Sequence, residues 1–381
     1  MHILIAPQSL KGSLTAAETG AAIAQGVQAV FPEAKLTIIP IADGGEGTVQ
    51  ALIDATHGQI HTQTVTGPLE EPVEAFYGVT GDGQTAVIEM AASSGLPLVA
   101  PEQRNPLIAT THGVGELIRA ALDQGSRHFI LGIGGSATND GGAGMAQALG
   151  VAFLDAEGKS LPPGGSALAR LAQIDTSKLD PRIKECSFDV ACDVTNPLCG
   201  PTGASAIYGP QKGATPDMVA DLDAALAHYA HIIQHDLKKD VANTPGAGAA
   251  GGLGAGMLAF LNATLRPGAQ IMLEALRVDE YMKDADLVIT AEGQLDEQTA
   301  YGKSVGAIAR LAKAHQLPVL ALAGGLETNY TSIYDLGIDA IIVLPSGPMS
   351  LVYAMKHASL LTSQATERAM KLFLMGRQFK G

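Results

Sequence analysis

A run of glycines and polar side chains follows an apolar stretch near the middle of the chain, in the segment FILGIGGSATNDGGAG from Phe129 to Gly144. Glycine lets backbone N–H groups approach a bound anion closely, and the N-terminus of a following helix adds partial positive charge. Six glycines within thirteen residues exceed what a single strand–helix turn needs. The segment therefore predicts a site for phosphate groups. Its candidate ligands are Gly134, Gly135, Ser136, Asn139 and Asp140.

Charged side chains also follow other predicted strands. Lys11 follows a predicted strand at 3–6, Asp43 follows one at 36–41, and Glu292 follows one at 286–291. Because ligands bind beyond the carboxyl ends of the strands in an open parallel sheet, we expect these side chains to share one edge with the glycine-rich segment. Carboxylates, a lysine and glycine-rich loops suit a metal-bridged phosphate better than a hydride carrier.

Two further side chains each have two interpretations. Lys303 lies in Gly-Lys-Ser, which resembles the end of a P-loop, but the glycine that a P-loop needs five residues earlier is replaced by Glu297. Lys303 could reach a phosphate or remain solvated. Asp193 follows a predicted strand in ACDVTNPL. It could take a proton from a substrate hydroxyl or hold a metal, or it could bond its own backbone in a turn.

A dinucleotide-binding unit is the main competing interpretation. Gly132 to Ala137 fits G-x-G-x-x-A after a strand, and Asp155 lies about twenty residues further on. The segment 139–142 interrupts the place where the dinucleotide helix should already be running. A nicotinamide-dependent oxidoreductase acting on a small hydroxy acid is therefore the alternative function, and a non-catalytic nucleotide-binding protein is a third.

Composition limits the class of protein and its partners. The 381 residues are 46% hydrophobic and 16% charged, which is typical of a globular protein of about two domains. The net charge of −14 argues against nucleic acid or an anionic membrane as a partner and leaves a small-molecule substrate. Three cysteines and an N-terminus without signal-peptide features predict a cytoplasmic protein. The oligomeric state is open, a homodimer being one option.

The order of predicted elements indicates an α/β fold with two domains. Strands alternate with helices near both chain ends and again around residue 130, whereas short, closely spaced strands fill 60–90. We expect a doubly wound, Rossmann-like domain with a parallel sheet, and a second, inserted mixed α/β domain. The first is predicted at 1–57, 105–150 and 280–381, and the second at 58–104 and 151–279.

Local signals place several helices. Thr15-x-x-Glu18 predicts a capping box at the start of a helix, and Thr215-Pro216 predicts the start of another. The glycine-rich segment 241–265 predicts a loop that enters a closely packed helix rather than a membrane span.

Several long strings are similar to those of a known family. They are IAPQSLKGSLTAAE (5–18), IADGGEGT (41–48), VIEMAASSGL (87–96), GIGGSATNDGGAGMAQALG (132–150), ACDVTNPLCGPTGASAIYGPQKGAT (191–215), PGAGAAGGLGAG (245–256) and LVITAEGQLD (287–296). On these strings, which span nearly the whole chain, the sequence resembles the bacterial type I glycerate kinases. The resemblance implies ATP-dependent phosphorylation of D-glycerate to 2-phosphoglycerate, in a cleft between two α/β domains.

The implied reaction suggests roles for the candidate residues. Phosphoryl transfer needs an in-line nucleophile and neutralisation of the developing charge. We assign the neutralising positive charge to Mg²⁺ and Lys11, with Lys303 in reserve. Asp43 and Glu292 are the candidate ligands of Mg²⁺. Asp193 is the candidate base for the glycerate hydroxyl.

The sequence departs from the family's pattern in two places. Gln8 stands where the family has an aspartate, which argues against a carboxylate acting there. Ala291 stands where the family has a glycine before Glu292, so the turn that follows is expected to differ slightly in shape.

Overall fold

The computed structural model describes residues 1–42, 44–45, 47–295, 304–327 and 330–378. In these ranges the strands are, in chain order, β1 His2–Ile5, β2 Lys35–Ile38, β3 Gln59–Thr66, β4 Pro72–Val79, β5 Thr85–Glu89, β6 His128–Gly132, β7 Ala152–Leu154, β8 Gln173–Asp175, β9 Ser187–Ala191, β10 Thr264–Arg266, β11 Leu287–Leu295, β12 Val319–Leu326 and β13 Ala340–Val343. The α-helices are α1 Ala16–Gln28, α2 Thr48–Thr56, α3 Ala91–Ser94, α4 His112–Asp123, α5 Ala143–Ala148, α6 Ala204–Tyr208, α7 Pro216–Leu237, α8 Ala249–Gly256, α9 Gly268–Ala275, α10 Val278–Met282, α11 Ser304–Ala314, α12 Leu351–Lys356 and α13 Ala358–Gln378.

The chain forms two compact units. The first unit comprises Met1–Asp43 and Ala269–Gly381, and the second comprises Gly44–Gly268. The first unit is thus built from the two ends of the chain, and the second is one continuous insertion.

A five-stranded parallel sheet in the order β13-β12-β11-β1-β2 organises the first unit. Ile3 and Ile5 of β1 belong to a buried cluster with residues of α1 and α13. Leu4, also fully buried, points to the opposite face because side chains alternate along a strand. The helix α11 contacts β11 and β12 but contributes no residue to that buried cluster, so it packs on the face to which Leu4 points. Helices therefore cover both faces of the sheet, as expected for a doubly wound fold.

A six-stranded mixed sheet in the order β10-β9-β6-β5-β4-β3 organises the second unit. The four strands β10, β9, β6 and β5 are parallel, whereas β5, β4 and β3 form an antiparallel meander. A separate antiparallel pair joins β7 and β8. The predicted fold class, a doubly wound α/β domain with an inserted mixed α/β domain, is confirmed.

The division of the chain differs from the predicted one in the segment 105–150. Its strand β6 pairs with β5 and β9 in the six-stranded sheet, so the segment belongs to the second unit. The helix α2, placed with the first domain by the predicted boundary at 57, also lies in the second unit. A strand–loop–helix pattern predicts parallel pairing but does not say which of two parallel sheets the strand joins.

The predicted helix starts are confirmed. Thr15 Oγ1 accepts a hydrogen bond from the Glu18 N–H, and the Thr15 N–H donates to Glu18 Oε2 at 2.8 Å, which completes the capping box of α1. Thr215 caps α7, with Pro216 in its first turn. Among the described residues, no helix is both long and apolar enough to cross a membrane.

Candidate active site

The predicted phosphate loop connects β6 to α5 in the second unit. Gly134 and Gly135 are exposed, whereas Ser136 is buried. Gly135 has a φ of +74°, a backbone conformation that favours glycine. A Cβ added to Gly134 would meet only the Gly45 Cα, at 3.9 Å, within 4 Å. The turn 134–135 therefore presents bare backbone to solvent, as close binding of an anion requires.

Asp140 holds the second half of this loop from inside the unit. Its fully buried carboxylate accepts hydrogen bonds from the N–H and hydroxyl of Thr111 and from the N–H groups of Gly142 and Gly144. Burial raises the pKa of Asp140, and these hydrogen bonds oppose the rise. The side chain faces the loop backbone rather than solvent, so in this arrangement it shapes the loop.

Asn139 is also fully buried. Its Nδ2 donates to Ser205 Oγ at 2.9 Å, while its Oδ1 has no hydrogen-bond partner within the described ranges. Like Asp140, it supports the loop from behind. Gly134, Gly135 and Ser136 are thus the members of the predicted set that lie nearest the exposed turn.

Asp193 lies at the same edge of the six-stranded sheet. Gly132 and Ala191 are in register at the carboxyl ends of β6 and β9, so the glycine-rich loop and Asp193 start side by side. The Asp193 side chain is exposed, and its Oδ1 accepts a hydrogen bond from the Gly268 N–H at 2.9 Å. The predicted boundaries placed the phosphate loop (105–150) and Asp193 (151–279) in different domains, whereas both lie in the second unit.

A second glycine-rich loop crosses the same strand ends. A Cβ on Gly44 would lie 2.2 Å from the Ala191 Cβ, and a Cβ on Gly132 would lie 2.1 Å from the Gly44 carbonyl oxygen. Only glycine permits so close a crossing of two backbones. Asp43 and Glu46, which flank Gly44-Gly45, lie outside the described residues.

The first unit gathers its own polar groups at the carboxyl edge of the five-stranded sheet. Lys11 is exposed in the turn after β1, and Glu292 is half-buried near the end of β11. A Cβ on Gly293 would lie 3.6 Å from the Lys11 backbone nitrogen, so the two segments are adjacent. Lys303 lies outside the described residues.

The two departures from the family pattern are structural features of this edge. The Gln8 side-chain Nε2 donates to Ser304 Oγ at 2.7 Å and so ties the β1 loop to the start of α11. Ala291 is fully buried, and its carbonyl accepts the Gln8 N–H at 2.8 Å. Its neighbours continue β11 to Leu295, four residues beyond the predicted strand end.

Of the two predicted metal ligands, Asp43 and Glu292, Glu292 lies within the described residues. Within the described ranges, no three His, Cys, Asp or Glu side chains form a cluster that could hold a metal ion. Glu292 offers carboxylate oxygens, the ligand type that Mg²⁺ takes, and Mg²⁺ commonly uses only one or two protein carboxylates. Glu292 therefore fits a Mg²⁺ ligand.

Known proteins similar to this chain agree on its family. A model of the glycerate kinase family matches residues 3–374. The chain belongs to the glycerate kinase family. It is 53% identical over 359 residues to a glycerate kinase of Bacillus subtilis, with 94% of each chain covered, and 52% identical over 341 residues to the glycerate 2-kinase of Escherichia coli, with 90% of each covered.

A solved structure extends the likeness to three dimensions. A crystal structure assigned provisionally as glycerate kinase 2 of Salmonella typhimurium LT2 is 50% identical and superposes with a TM-score of 0.91 over 99% of both chains. The predicted family resemblance is therefore confirmed, and this family member is a kinase. The comparisons give no support to the oxidoreductase alternative.

Lys212 contacts the phosphate loop of this family member but is absent from the set predicted above. It is 1% exposed, and its Nζ donates to Ser136 Oγ at 2.7 Å and to the Thr138 carbonyl oxygen at 2.6 Å. Burial lowers the pKa of Lys212 to about 7, while the nearby Asp140 opposes the shift. In the sequence it lies in Pro-Gln-Lys-Gly, which has no apolar period or motif, and 76 residues separate it from Ser136. Only its place within one of the family-like strings could have indicated a role.

Proposed function

We propose that this chain transfers the γ-phosphoryl group of ATP to the 2-hydroxyl of D-glycerate, giving 2-phosphoglycerate and ADP. The observation that carries the proposal is membership of the glycerate kinase family over residues 3–374. The 2-hydroxyl is favoured because the Escherichia coli relative, 52% identical, is named glycerate 2-kinase.

The glycine-rich turn is the proposed binding site for an anionic group of the substrates. Gly134 and Gly135 expose backbone, and Ser136 follows them directly. Backbone N–H groups in such a turn stabilise phosphate oxygens without a side chain in the way. We propose that Asn139 and Asp140 keep the turn in shape from inside, and that Lys303 adds a cation at the phosphates.

Glu292 and Lys11, at the edge of the first unit's sheet, are proposed to help neutralise the negative charge of the phosphates, Glu292 through Mg²⁺ and Lys11 directly. Mg²⁺, held by Glu292 and Asp43, would neutralise charge on the phosphate oxygens of ATP when bound. Lys11 lies in the segment next to that of Glu292 and carries a solvent-exposed ammonium group. It would hold phosphate oxygens as the charge on the leaving ADP increases.

Asp193 is the proposed general base. Its Oδ1 accepts the Gly268 N–H, which fixes the orientation of the carboxylate, and the side chain is exposed to a substrate. The carboxylate takes the proton of the 2-hydroxyl while that oxygen bonds to the γ-phosphorus. The bond from the γ-phosphorus to the bridging oxygen breaks, and its electron pair leaves with ADP.

The test is the reaction itself. Purified protein with ATP, MgCl₂ and D-glycerate should release ADP, and L-glycerate is the matched control substrate. Phosphorus NMR of the product should show the phosphate on the secondary carbon. Absence of D-glycerate-dependent ADP release would refute the kinase proposal, and 3-phosphoglycerate as product would refute its regiochemistry alone.

A further inference from the structure

Lys212 is buried in the second unit in a way that stability alone does not favour. Its ammonium is almost fully removed from water and donates to two neutral oxygens, those of Ser136 and Thr138. Across the described residues it takes part in no ion pair within 4.0 Å. Burying a charge without an adjacent counter-charge is costly, and an apolar side chain of similar length would fill the space without that cost.

The turn that carries Lys212 is fixed on its far side. Gly213 has a φ of +92°, and a Cβ there would lie 2.6 Å from the Arg104 carbonyl oxygen. Arg104 Nη1 also donates to the Gln211 carbonyl at 3.5 Å. Lys212 therefore reaches the phosphate loop from an anchored base. The charged group that acts on its ammonium is Asp140, from the loop.

Lys212 touches the loop at the residue that links the exposed turn to the core. Ser136 forms an isolated β-bridge with Gly95, and the Gly135 carbonyl accepts the Leu96 N–H at 2.8 Å. The bond from Lys212 Nζ to Ser136 Oγ adds a third tie at the same place. Moving Ser136 would therefore move Gly135.

We propose that Lys212 is a positioning residue that acts through Ser136 to hold the turn Gly134-Gly135-Ser136 in its anion-binding shape, and that its positive charge strengthens anion binding there. The inference rests on the proposed function for the identity of the anion, which is a phosphate of ATP or the carboxylate of D-glycerate. A buried charge acts strongly over short distances because the surrounding dielectric is low.

The experiment compares Lys212→Met with Lys239→Met, each measured against the unmodified protein. Lys239 is a matched control because its partly buried Nζ also donates to backbone carbonyls, and these carbonyls, of Leu258 and Ala259, lie outside the loop. Calorimetric affinities for ATP with MgCl₂, and separately for D-glycerate, are measured at pH 6.0 and pH 8.5. The titration of ATP itself is common to all variants and cancels in the comparison.

We expect Lys212→Met to weaken the binding of one of the two ligands by about tenfold or more at pH 6.0, which is ~1.4 kcal/mol. At pH 6.0 the unmodified protein and Lys239→Met should bind that ligand more tightly than Lys212→Met does. This advantage should shrink at pH 8.5, because Lys212 loses its proton in that range. The ligand that responds identifies the anion held by the loop. Unchanged affinities for both ligands in a folded Lys212→Met protein would overturn the proposal and leave Lys212 a structural residue.

Ser136→Ala provides the second variant if Lys212→Met fails to fold. It cuts the link to the turn while Lys212 keeps its bond to Thr138, and we expect several-fold weaker binding of the same ligand. Normal binding by Ser136→Ala would overturn the proposed route through Ser136. These affinities are read without turnover, so a protein that shows Lys212-dependent ATP binding but no phosphorylation of D-glycerate would refute the proposed function and not this inference.

Discussion

Asp193 and Asp223 make the same kind of contact but are assigned different roles. Each carboxylate accepts a hydrogen bond from a glycine N–H, Gly268 for Asp193 and Gly200 for Asp223. Asparagine can keep such a bond but cannot take a proton from a hydroxyl. We expect Asp193→Asn to lower kcat by roughly 10²-fold or more with little change in ATP affinity, since general-base catalysis contributes about that much.

Asp223→Asn is the matched control and should keep near-normal kcat, as measured by steady-state ADP release with D-glycerate. If Asp193→Asn retains full kcat, Asp193 is a structural acceptor for Gly268 and the base lies elsewhere.

Gly134 allows a cleaner test of the phosphate loop than Gly135. At Gly135 the φ of +74° would strain any other residue, whereas a Cβ on Gly134 meets only the Gly45 Cα at 3.9 Å. Gly134→Ala and Gly134→Val should therefore fold, with unchanged melting temperatures, and fill the space proposed for an anion. We expect the KM for ATP or D-glycerate to rise with side-chain size, by about tenfold or more for valine, a loss of ~1.4 kcal/mol. KM values in both variants that match those of the unmodified protein would mean that the anion binds elsewhere.

The buried ammonium of Lys212 predicts how stability depends on pH. Its pKa is about 7 in the folded protein against an ordinary 10.5, so between those values the unfolded chain binds the extra proton. The unfolding free energy should therefore rise with pH across this window, by up to about 1.4 kcal/mol per pH unit, through this residue. Urea unfolding of the unmodified protein and of Lys212→Met at pH 7.0 and 9.0 should show their difference shifting in favour of the unmodified protein at pH 9.0. A difference that is the same at both pH values would contradict the assigned pKa.

Residue types and order were enough to predict the loop, but not which of its side chains face inward. Asn139 and Asp140 are buried because their partners, Ser205 and Thr111, come from distant parts of the chain. Lys212 was not predicted because its partners are also distant in the sequence, so its burial depends on the fold and not on local spacing.

At the scale of elements, the glycine-rich helix α8 packs directly on the phosphate loop. A Cβ on Gly256 would lie 2.5 Å from the Gly141 carbonyl oxygen and 2.9 Å from the Gly142 Cα. Backbone atoms cannot rotate away, so Gly256→Ala should cost about 1–3 kcal/mol of unfolding free energy, although alanine is the better helix former. Urea unfolding should reveal the loss. Gly376→Ala, at an exposed site in α13 with nothing within 4 Å, should not destabilise the protein. Comparable stability of the two variants would show that α8 can move away from the loop.

Elements with local signals were predictable and their partners were not. The capping box at Thr15 and the Thr215-Pro216 start fixed α1 and α7 because the interacting groups lie within one turn of helix. The strand before the phosphate loop, β6, was predicted, yet its sheet was not, because pairing with β5 and β9 depends on contacts between distant segments.

At the scale of the whole molecule, the second unit is one uninterrupted piece of chain with its own core. Two buried clusters fall entirely within it, one spanning Val65 to Ala263 and the other Ala143 to Phe260. Its two ends are close, since a Cβ on Gly44 would lie 3.7 Å from the Gly268 Cα. A unit whose ends meet and whose core is complete has the properties of an independently folding domain.

We therefore expect a fragment of residues 44–268 to fold alone and to melt in a single cooperative transition by circular dichroism. A fragment of residues 58–268, which starts where the sequence pattern placed the boundary, should be much less stable. It lacks α2, whose Val49 N–H donates to the buried Glu89 carboxylate at 2.8 Å and whose Ile53 packs on Gly78. Removing α2 would leave Glu89 without that donor and expose the apolar face beneath it. A non-cooperative melt of 44–268 would mean that its core needs the first unit, and equal stability of the two fragments would mean that α2 does not belong to it.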